Sequence, residues 1–341
     1  MTRRYLQGLG PLRIAVAGCG TVGGAFLDLL ARHADVVRQR VGRDVEVSSV
    51  LVRDASRPRS SRLAALPITD DLGAFLHAPA DVVVEAIGGT AVAGRIARTT
   101  LARGRKLITA NKSLLRAEGP ALAQLAETHE VTGAALEFEA AVGGAVPVVR
   151  TIREGLAGHG ITAIRGVLNG TTNYILSRLE RGASFDEALR SAQEAGFAEA
   201  DPSRDLLGID SAEKIAVLAW IAFGIDPTRH HVRVEGLDAD VVARVRREQC
   251  DGRVVRLVAQ AIAGAGGLPS LSVAPVALDP SHPLARARDE ENVVVVESES
   301  AGAITLHGKG AGGHATASAV LADLLHTCRP RPLAPRLRAS A

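Results

Sequence analysis

Leu12-Arg-Ile-Ala-Val-Ala-Gly18-Cys-Gly20-Thr-Val-Gly23 is a β-rich apolar run that leads directly into the pattern G-x-G-x-x-G. Apolar residues at helical spacing follow from Phe26 through Val37. A strand, this glycine pattern and a helix in succession predict a dinucleotide-binding fingerprint, in which the pyrophosphate lies at the helix N-terminus. An ordinary βα turn is the alternative, and we favour the fingerprint because all three parts occur in order.

Strands and helices alternate over the first 140 or so residues. Further strands are predicted at 45–52, 81–87, 106–109 and 133–138, with helices near 91–103 and 117–129. Continuous apolar strands alternating with helices indicate an α/β fold with a Rossmann-type, doubly wound parallel sheet. Gly88 and Lys112 follow two of these strands. Ligands bind at the carboxyl ends of such strands, so both residues are candidates for a site.

Arg53 lies at the tip of the predicted second strand and is followed by Asp54. An acid at this tip usually binds the ribose hydroxyls of NAD, whereas an arginine suits the 2′-phosphate of NADP. Arg57 and Arg59 add positive charge to the same loop. We therefore predict NADP as the coenzyme. Asp54 leaves NAD open, and loop arginines are commonly just solvated.

The segment from Glu199 to Lys214 (EADPSRDLLGIDSAEK) concentrates acids and one lysine before the apolar run IAVLAWIAF. Acids and lysine are poor core residues, and the apolar run reads as a buried helix. On such a helix Asp210 and Lys214 lie on one face and can share a small polar ligand. The alternative is structural, with Asp210 and Glu213 forming a helix cap and Lys214 solvated. Spacing alone does not separate the two interpretations.

Composition limits the classes of function. The chain has 341 residues, 47% of them apolar, which is enough for two domains. A net charge of +3 and 3% aromatic residues argue against a nucleic-acid partner. Cys19, Cys250 and Cys328 form neither a metal motif nor a disulfide framework. No signal-peptide core or membrane-length apolar run is present, so we expect a soluble, cytoplasmic protein with no membrane partner.

The second half of the chain is predicted to be α+β. The Gly-rich segment from Glu139 (EAAVGGAVPVV) offers a carboxylate and carbonyls that suit a hard cation, or is simply a tight crossover. Ser184 to Glu187 form a capping box that opens a helix ending at Gly196. The other predicted elements are a helix at 148–157, a strand at 162–168, a turn at 169–173 followed by a helix to 181, a strand at 232–236, a helix at 253–263, strands at 270–278 and 292–298, and a Gly-rich helix start after 308.

The motifs, in order along the chain, resemble those of homoserine dehydrogenase. They are GCGTVG, VVVEAIGG, ITANKSLL, EFEAAVGGAVPVV, LNGTTNYIL, AGFAEADPSRDLLGIDSAEK and GKGAGGHATASAVLADL, and they extend from about Leu12 to Leu325. The resemblance implies NAD(P)-dependent interconversion of L-homoserine and L-aspartate 4-semialdehyde in threonine and methionine biosynthesis. It also implies a homodimer or tetramer, of which we favour the homodimer.

The resemblance further implies residue roles. Lys214 matches the lysine of a D-x-x-x-K motif that donates and accepts the proton, and Lys112 matches the lysine of TANK at coenzyme and substrate. The implied substrate-binding residues are Glu199, Asp205 and Asp210, with Gly196 preceding them. The implied coenzyme contacts are Thr21, Val22, Gly88 and Gly310, beside the fingerprint residues Gly18, Gly20 and Gly23, Arg53 and Lys112. The implied ligands of a structural sodium or potassium ion are Glu139, Val142, Gly144 and Val146.

The domain organisation follows from these expectations. Residues 1–140 are expected to bind the dinucleotide, with a C-terminal helix at 308–327 packing back on them. Residues 141–307 are expected to bind substrate and dimerise, and 328–341 to be a disordered tail. Lys309 stands where the family usually has proline. A C-terminal ACT regulatory domain is not expected, and neither is threonine feedback through one.

Three other functions compete with homoserine oxidation. A semialdehyde dehydrogenase forming an acyl intermediate needs a cysteine nucleophile, and none of the three cysteines lies in a suitable motif. A non-catalytic NADP-binding sensor would be expected to lose the lysine–acid set, which is complete here. A paralogous dehydrogenase of another hydroxy amino acid is left open because the residues that shape the pocket lie outside the motifs.

Overall fold

The computed structural model describes residues 10–238, 240–264 and 266–329. Its first half contains a six-stranded parallel sheet with the strand order β3-β2-β1-β4-β5-β6. The strands are β1 (Leu12–Ala17), β2 (Val45–Leu51), β3 (Ile68–Thr69), β4 (Val82–Glu85), β5 (Lys106–Thr109) and β6 (Ala135–Glu137). The strand order reverses between β1 and β4. This reversal creates a crevice at the carboxyl edge, where open α/β sheets bind ligands.

Helices cover both faces of the parallel sheet. They are α1 (Thr21–Arg32), α2 (Ala34–Val41), α3 (Ser61–Ala64), α4 (Leu72–His77), α5 (Ala91–Ala102) and α6 (Lys112–Thr128). Because side chains alternate along a strand, Ile14 and Val16 of β1 pack with residues of α1 and α2. Ala15 and Ala17 pack with residues of α4 and α5 on the other face. Burial on both faces explains why these strands are continuously apolar.

The second half is built on another six-stranded sheet with the order β12-β11-β7-β9-β10-β8. Its strands are β7 (Ile161–Val167), β8 (Arg233–Val234), β9 (Val254–Ile262), β10 (Ser270–Leu278), β11 (Glu291–Ser298) and β12 (Gly302–Lys309). Neighbouring strands are antiparallel except for β8 and β10. With the parallel sheet beside it, this arrangement confirms the predicted fold class.

Helices of the second half are α7 (Val148–Arg150), α8 (Gly170–Glu180), α9 (Phe185–Glu194), α10 (Ser203–Leu206), α11 (Ile209–Phe223) and α12 (Val241–Cys250). The chain continues from α7 into a π turn over Thr151–Gly155, and 3₁₀ turns lie at Glu130–Thr132, Glu139–Ala141 and Pro283–Arg286. Ile215 and Val217 of α11 are fully buried in the core that contains Leu257 and Ala259 of β9. This core holds the lysine-bearing helix rigidly against the sheet.

The last helix, α13 (Gly313–Thr327), returns to the parallel sheet. Its buried residues Ala317, Val320 and Leu324 pack with Phe26 and Leu27 of α1. None of the described helices is long and apolar enough to cross a membrane. The tail predicted at 328–341 lies outside the described residues from position 330 onward.

The helix predicted at 253–263 is wrong, because these residues form strand β9 in the middle of the second sheet. Val255, Leu257 and Ala259 point into the main core, while Val258 belongs to a second core on the other face. Burial on both faces yields a nearly continuous apolar run, which periodicity cannot distinguish from a buried helix. The helix of this region is α12, which begins twelve residues earlier, at Val241, and which was not predicted from the sequence.

Three further boundaries differ from the predictions. The helix expected near 117–129 begins at Lys112, because the Asn111 side chain caps it by accepting the Leu114 N–H at 3.0 Å. The turn expected at 169–173 is the cap and first turn of α8, with Asn169 as the capping residue. The helix expected at 148–157 is mostly a π turn. The capping box at Ser184 and Glu187 is confirmed, and α9 follows it.

Candidate active site

A cleft of about 1070 Å³ lies at the carboxyl edge of the parallel sheet, facing the second half of the chain. Its lining residues come from α1, the segments after β4 and β5, and the segment around α10 and α11. They include Val22, Gly88, Gly89, Thr90, Asn111, Lys112, Ser113, Arg116, Glu199, Arg204 and Glu213. The cleft thus brings together helices and loops from both halves of the chain.

The three fingerprint glycines have different surroundings. A Cβ at Gly18, where φ is +100°, would lie 2.6 Å from the Ala86 carbonyl oxygen, and one at Gly23 would lie 1.9 Å from the Gly18 carbonyl oxygen. A Cβ at Gly20 would meet nothing within 4 Å. Gly18 and Gly23 are therefore required by the turn itself and by its packing on the helix. Gly20 leaves open space at the N-terminus of α1, which fits the approach of a pyrophosphate.

The N-termini of two helices meet beside this loop. Thr21 is the first residue of α1, and Gly313 is the first residue of α13. A Cβ at Gly313 would lie 2.6 Å from the Thr21 carbonyl oxygen, so only glycine permits this contact. Helix N-termini carry partial positive charge. Their convergence makes this end of the cleft suitable for an anionic ligand.

Glu85 is a buried acid that the sequence analysis did not single out. Its Oε1 accepts the backbone N–H of Ile87 at 2.9 Å and of Gly88 at 3.3 Å. Its Oε2 accepts the Thr109 hydroxyl at 2.5 Å. The carboxylate therefore connects the segments after β4 and β5, and it shapes the loop that carries Gly88. The signal for it was an acid at the end of the apolar strand VVVE.

The loop after β2 places an arginine beside the glycine fingerprint. Arg53 is exposed, and no hydrogen bond of its side chain is seen in the described residues. Arg59 donates to the carbonyls of Asp54 at 2.7 Å, Arg57 at 2.7 Å and Ala55 at 3.2 Å. The guanidinium also lies close enough to the Cys19 thiol to lower the pKa of that thiol. The guanidinium is thus fixed next to the fingerprint loop. From the sequence, Arg59 was predicted only to add positive charge to the loop after β2.

Cys19 does not have the properties of a nucleophile. Burial raises the pKa of its thiol, and the nearby Arg59 lowers it less. Catalytic cysteines need a lowered pKa, because the thiolate is the reactive form. The position of Cys19 under the coenzyme loop therefore argues against a semialdehyde dehydrogenase.

The centre of the site is one carboxylate between two ammonium groups. Asp210 Oδ1 lies 3.0 Å from Lys112 Nζ, and Asp210 Oδ2 lies 2.8 Å from Lys214 Nζ. Lys214 Nζ also donates to the Leu168 carbonyl at 2.6 Å. The structural alternative for Asp210 is wrong, because the residue preceding α11 is Gly208, which has no side-chain cap. Asp210 and Lys214 lie on one face of α11, as their spacing predicted.

Asn169 connects this centre to a second carboxylate, and the sequence analysis did not name it as a site residue. Its Nδ2 donates to Asp205 Oδ1 at 2.7 Å and to Asp210 Oδ2 at 2.9 Å. Its Oδ1 accepts the Thr172 N–H at 2.8 Å and caps α8. One amide therefore fixes the start of α8 and the spacing of two acids. The only signal in the sequence was an asparagine preceding a helix.

Proton affinities in the cluster follow from burial and neighbouring charge. Burial opposes the charge on Asp210, but Lys214 and Lys112 together hold the pKa of its carboxyl well below the usual range. Burial also opposes the charge on Lys112, but Asp210 outweighs it and raises the pKa of that ammonium. Burial raises the pKa of the Asp205 carboxyl against the hydrogen bond from Asn169. Asp210 is thus ionised at neutral pH.

The remaining substrate candidates lie at the rim. Glu199 is exposed and lines the cleft. Gly196 has φ of +75° and follows α9, and it does not line the cleft. Glu213 accepts from Arg204 at 2.8 Å and from the Ser113 hydroxyl at 2.9 Å, which links α11 to α10 and α6 across the cleft.

The crossover after β6 is tightly organised around Glu139. Its carboxylate accepts the backbone N–H groups of Val149 and Arg150, both at 2.8 Å. Burial raises the pKa of this carboxyl, and the two backbone N–H groups oppose the shift. Val142 and Val146 are buried. The oxygen ligands predicted for a cation thus include a carboxylate already held in place by backbone donors.

Gly144 and Gly310 pack directly on each other, which links the crossover to the last glycine-rich loop. A Cβ at Gly144 would lie 2.6 Å from the Gly310 carbonyl oxygen, and one at Gly310 would overlap the Asn292 side chain at 1.9 Å. The Ala145 N–H donates to the Lys309 carbonyl at 3.0 Å. Lys309 itself is exposed. This contact uses the backbone of Lys309, so a lysine is accommodated where the family usually has proline.

Comparison with known proteins supports the family. Residues 18–139 match the model for the NAD-binding domain of homoserine dehydrogenase, and residues 147–325 match the model for homoserine dehydrogenase. A homoserine dehydrogenase of Corynebacterium glutamicum is 38% identical over 333 residues, covering 95% of this chain and 74% of the relative. The chain belongs to the homoserine dehydrogenase family.

Solved homoserine dehydrogenase structures agree with this assignment. The Thiobacillus denitrificans enzyme superposes with a TM-score of 0.87 at 35% identity, covering 94% of this chain and 73% of that one. A hyperthermophilic archaeal homoserine dehydrogenase in complex with NADPH gives a TM-score of 0.76 at 26% identity, covering 93% of this chain and 97% of that one. The predicted family is confirmed, and with it an oxidoreductase with a nicotinamide-dinucleotide-binding domain.

Proposed function

We propose that the chain catalyses the reversible, NADP-dependent oxidation of L-homoserine to L-aspartate 4-semialdehyde. The observation that carries the proposal is the Lys112–Asp210–Lys214 cluster beside a cleft that begins at a dinucleotide fingerprint. Homoserine has an ammonium, a carboxylate and a hydroxyl group, and the site offers acids and lysines to match them. The family resemblance and the homoserine dehydrogenase relatives support the same substrate.

Lys214 is proposed as the proton acceptor and donor. A nicotinamide bound in the cleft would supply the acceptor for a hydride from C4 of the alcohol. The hydroxyl proton must leave at the same stage, and an amine within hydrogen-bonding distance can accept it. Lys214 Nζ is held by the Leu168 carbonyl and Asp210, so its position is fixed before substrate binds. In the reverse direction the ammonium of Lys214 returns the proton to the aldehyde oxygen.

Lys112 and the acids are proposed to position the substrate. Lys112 lines the cleft and reaches Asp210 from the first turn of α6, so it can contact coenzyme and substrate. Glu199, Asp205 and Asp210 are proposed to bind the substrate ammonium and hydroxyl region, with Gly196 leading into this segment. Asp210 reduces the repulsion between the two lysines, because its carboxylate lies between them.

The coenzyme site is proposed to extend from the fingerprint to the loop after β2. Gly18, Gly20, Thr21, Val22 and Gly23 would hold the pyrophosphate region, and Gly88 and Gly310 the region nearer the substrate. Arg53, with Arg59 beside the loop, would bind the 2′-phosphate of NADP. Arginine suits this role, because its planar fork binds phosphate through two parallel hydrogen bonds.

A structural sodium or potassium ion is proposed at the crossover. Glu139 and the carbonyls of Val142, Gly144 and Val146 would supply oxygen ligands, which such ions prefer. Replacing sodium and potassium in the buffer with a bulky organic cation should lower the unfolding temperature of the protein. The same temperature in all buffers would contradict this site.

We further propose that the two halves of the chain bind different ligands and that the protein is a homodimer. Residues 1–140 and α13 would bind the coenzyme, and residues 141–307 would bind substrate and form the subunit contact. β12 lies at the edge of the second sheet and pairs only with β11 in the described residues, so its other edge is available to a second copy. Light scattering coupled to size-exclusion chromatography would measure the mass, and a monomer would contradict the dimer.

The test of function is L-homoserine-dependent reduction of NADP and NAD, followed by near-ultraviolet absorbance. We expect turnover with homoserine, higher kcat/KM with NADP than with NAD, and no comparable rate with other hydroxy amino acids such as serine or threonine. Turnover with one of those amino acids alone would favour a paralogous dehydrogenase. Protein that binds NADP without any turnover would favour a sensor.

A further inference from the structure

A second cavity lies at the opposite edge of the parallel sheet from the active-site cleft. It has a volume of about 460 Å³ and is formed where β1 and β5 begin, by the turns before β2, β4, β5 and β6 and by the end of α13. Its lining residues are Leu12, Arg43, Ala80, Asp81, Arg103, Gly104, Arg105, Lys106, Thr132, Gly133, Thr327, Cys328 and Arg329. We call it the basic pocket.

The basic pocket contains five basic side chains, and Asp81 is the single carboxylate among the residues described around it. Asp81 is largely engaged, because its Oδ2 accepts the Arg13 N–H at 2.9 Å and lies 3.5 Å from Arg43. Among the described residues that line the pocket, Asp81 therefore offsets at most one of the five positive charges.

Several of these side chains are held in place by backbone carbonyls. Arg103 donates to the Leu76 carbonyl. Arg105 donates to the Ala78 carbonyl at 3.1 Å, and Lys106 donates to the Gly133 carbonyl at 3.1 Å. Arginine has five donors, so one bond to a carbonyl leaves most of the fork available. Such fixed side chains lose little conformational entropy when an anion binds.

The negative ends of helix dipoles offset only part of this positive charge. Arg43, Arg103 and Arg329 follow the C-termini of α2, α5 and α13, where a basic residue is favoured. Each helix end is equivalent to roughly half a negative charge. The C-terminus of α4 is a fourth helix end here, because the Ala78 carbonyl accepts from Arg105. Four helix ends and Asp81 therefore leave about two of the five positive charges unbalanced. Arg105 precedes β5 and Lys106 begins it. Burial with the neighbouring Arg103 lowers the pKa of Arg105.

We propose that the basic pocket is a binding site for a small phosphate-bearing anion, distinct from the coenzyme cleft. The volume accommodates pyrophosphate with water, and two or more guanidinium groups can bind phosphate oxygens in pairs. The ligand is either a free phosphate anion or the diphosphate of a nucleotide. α13 runs from this pocket to Thr21 in the coenzyme loop, so both ends of one helix contact a ligand site.

The experiment is calorimetric titration of the protein, saturated with NADP so that the cleft is filled, with inorganic pyrophosphate and separately with ADP. We expect one site for at least one of the two, and the tighter ligand identifies the source of the phosphate. The double variant R103Q/R105Q should weaken binding at least about ten-fold, because bonds between charged groups are lost. The control R40Q/R95Q removes two exposed arginines of α2 and α5 outside the pocket and should bind as the wild type does.

Three results would overturn the proposal. They are no binding of either anion at millimolar concentration, equal weakening in the control variant, and binding in the absence of NADP that NADP abolishes. Should R103Q/R105Q fail to fold, Arg329→Gln provides the test, because Arg329 is exposed and lines the pocket. Unchanged affinity in that variant would count against the site.

Discussion

Lys112 Nζ lies 3.0 Å from Asp210 Oδ1. Lys112 begins α6, which packs beside the parallel sheet, whereas Asp210 lies in the first turn of α11 in the second half of the chain. This ion pair crosses the cleft and joins the coenzyme-binding half to the helix that carries Lys214. Asp210 is at the same time 2.8 Å from Lys214 Nζ. The pair therefore joins the two halves of the chain and places a second positive charge near the proposed proton acceptor.

Replacement of Lys214 should abolish turnover without unfolding the protein. Lys214→Ala is expected to lower kcat by about 10³-fold, within the range for loss of a general base. Lys214→Arg keeps the positive charge but cannot exchange its proton near neutral pH, and it should be similarly inactive. Steady-state kinetics and circular dichroism provide the measurement. Activity within ten-fold of wild type in Lys214→Arg would rule out proton transfer by this residue.

Asp210→Asn should change the pH profile as well as the rate. The carboxylate raises the pKa of Lys112, so its loss lowers that pKa towards the value set by burial. Lys112 then loses its positive charge at lower pH. The alkaline limb of the activity profile should therefore shift to lower pH. The profile of kcat/KM against pH measures this, with Glu127→Gln, which removes an exposed acid in the last turn of α6, as the control. An unshifted profile would show that Asp210 acts only through packing.

Two alanine substitutions in the glycine loop should have opposite consequences. Gly20→Ala adds a Cβ into open space, so the protein should fold with nearly unchanged stability but bind coenzyme at least about ten-fold more weakly. Gly23→Ala places a Cβ 1.9 Å from the Gly18 carbonyl and should destabilise the fold itself. Thermal unfolding and coenzyme titration separate the two effects. Normal coenzyme affinity in Gly20→Ala would mean that the pyrophosphate lies elsewhere.

The arginines after β2 should govern the choice of coenzyme. Arg53→Gln and Arg59→Gln are each expected to raise the KM for NADP about ten-fold and to leave the KM for NAD nearly unchanged, because only NADP carries the 2′-phosphate. Arg57→Gln is the matched control, since Arg57 is exposed and its side chain makes no hydrogen bond in the described residues. Equal losses with both coenzymes would assign these arginines to loop stability instead.

Asp323 should make stability depend on pH. Burial, with Glu137 and Glu139 nearby, raises the pKa of its carboxyl to about 8, although Arg150 lies 2.9 Å away. The folded state then holds a proton that the unfolded state has lost, so the free energy of unfolding should fall as pH rises from about 4 to about 8. Asp323→Asn should flatten this dependence and raise the unfolding temperature at pH 8 by about 2–4 °C.

Thermal unfolding between pH 5 and pH 8 measures the effect of Asp323. Glu154→Gln, which removes a more exposed acid beside Arg150, should keep the wild-type dependence. A wild type whose stability does not fall over this range, or an Asp323→Asn variant that falls in parallel with it, would contradict the prediction.

Local patterns predicted local structure well where neighbouring residues are enough to define it. The capping box at Ser184 and the placement of Asp210 and Lys214 on one helical face are of this kind. Residues 253–263 failed because a strand buried on both faces is as apolar as a buried helix. Burial on two faces is a property of the assembled sheet, and no window of sequence contains it.

The sequence by itself determined the α/β class, the fingerprint at Gly18 to Gly23, and a lysine and an acid on one helical face. Each depends on backbone geometry over a few residues, which short spacing encodes. Only the tertiary structure decided that Asn169 links Asp205 to Asp210, that Arg59 lies beside Cys19, and that Lys112 reaches Asp210. These contacts join segments far apart in the chain. They exist because packing of the two sheets brings their loops together. That packing depends on residues from many segments at once, so no single segment predicts it.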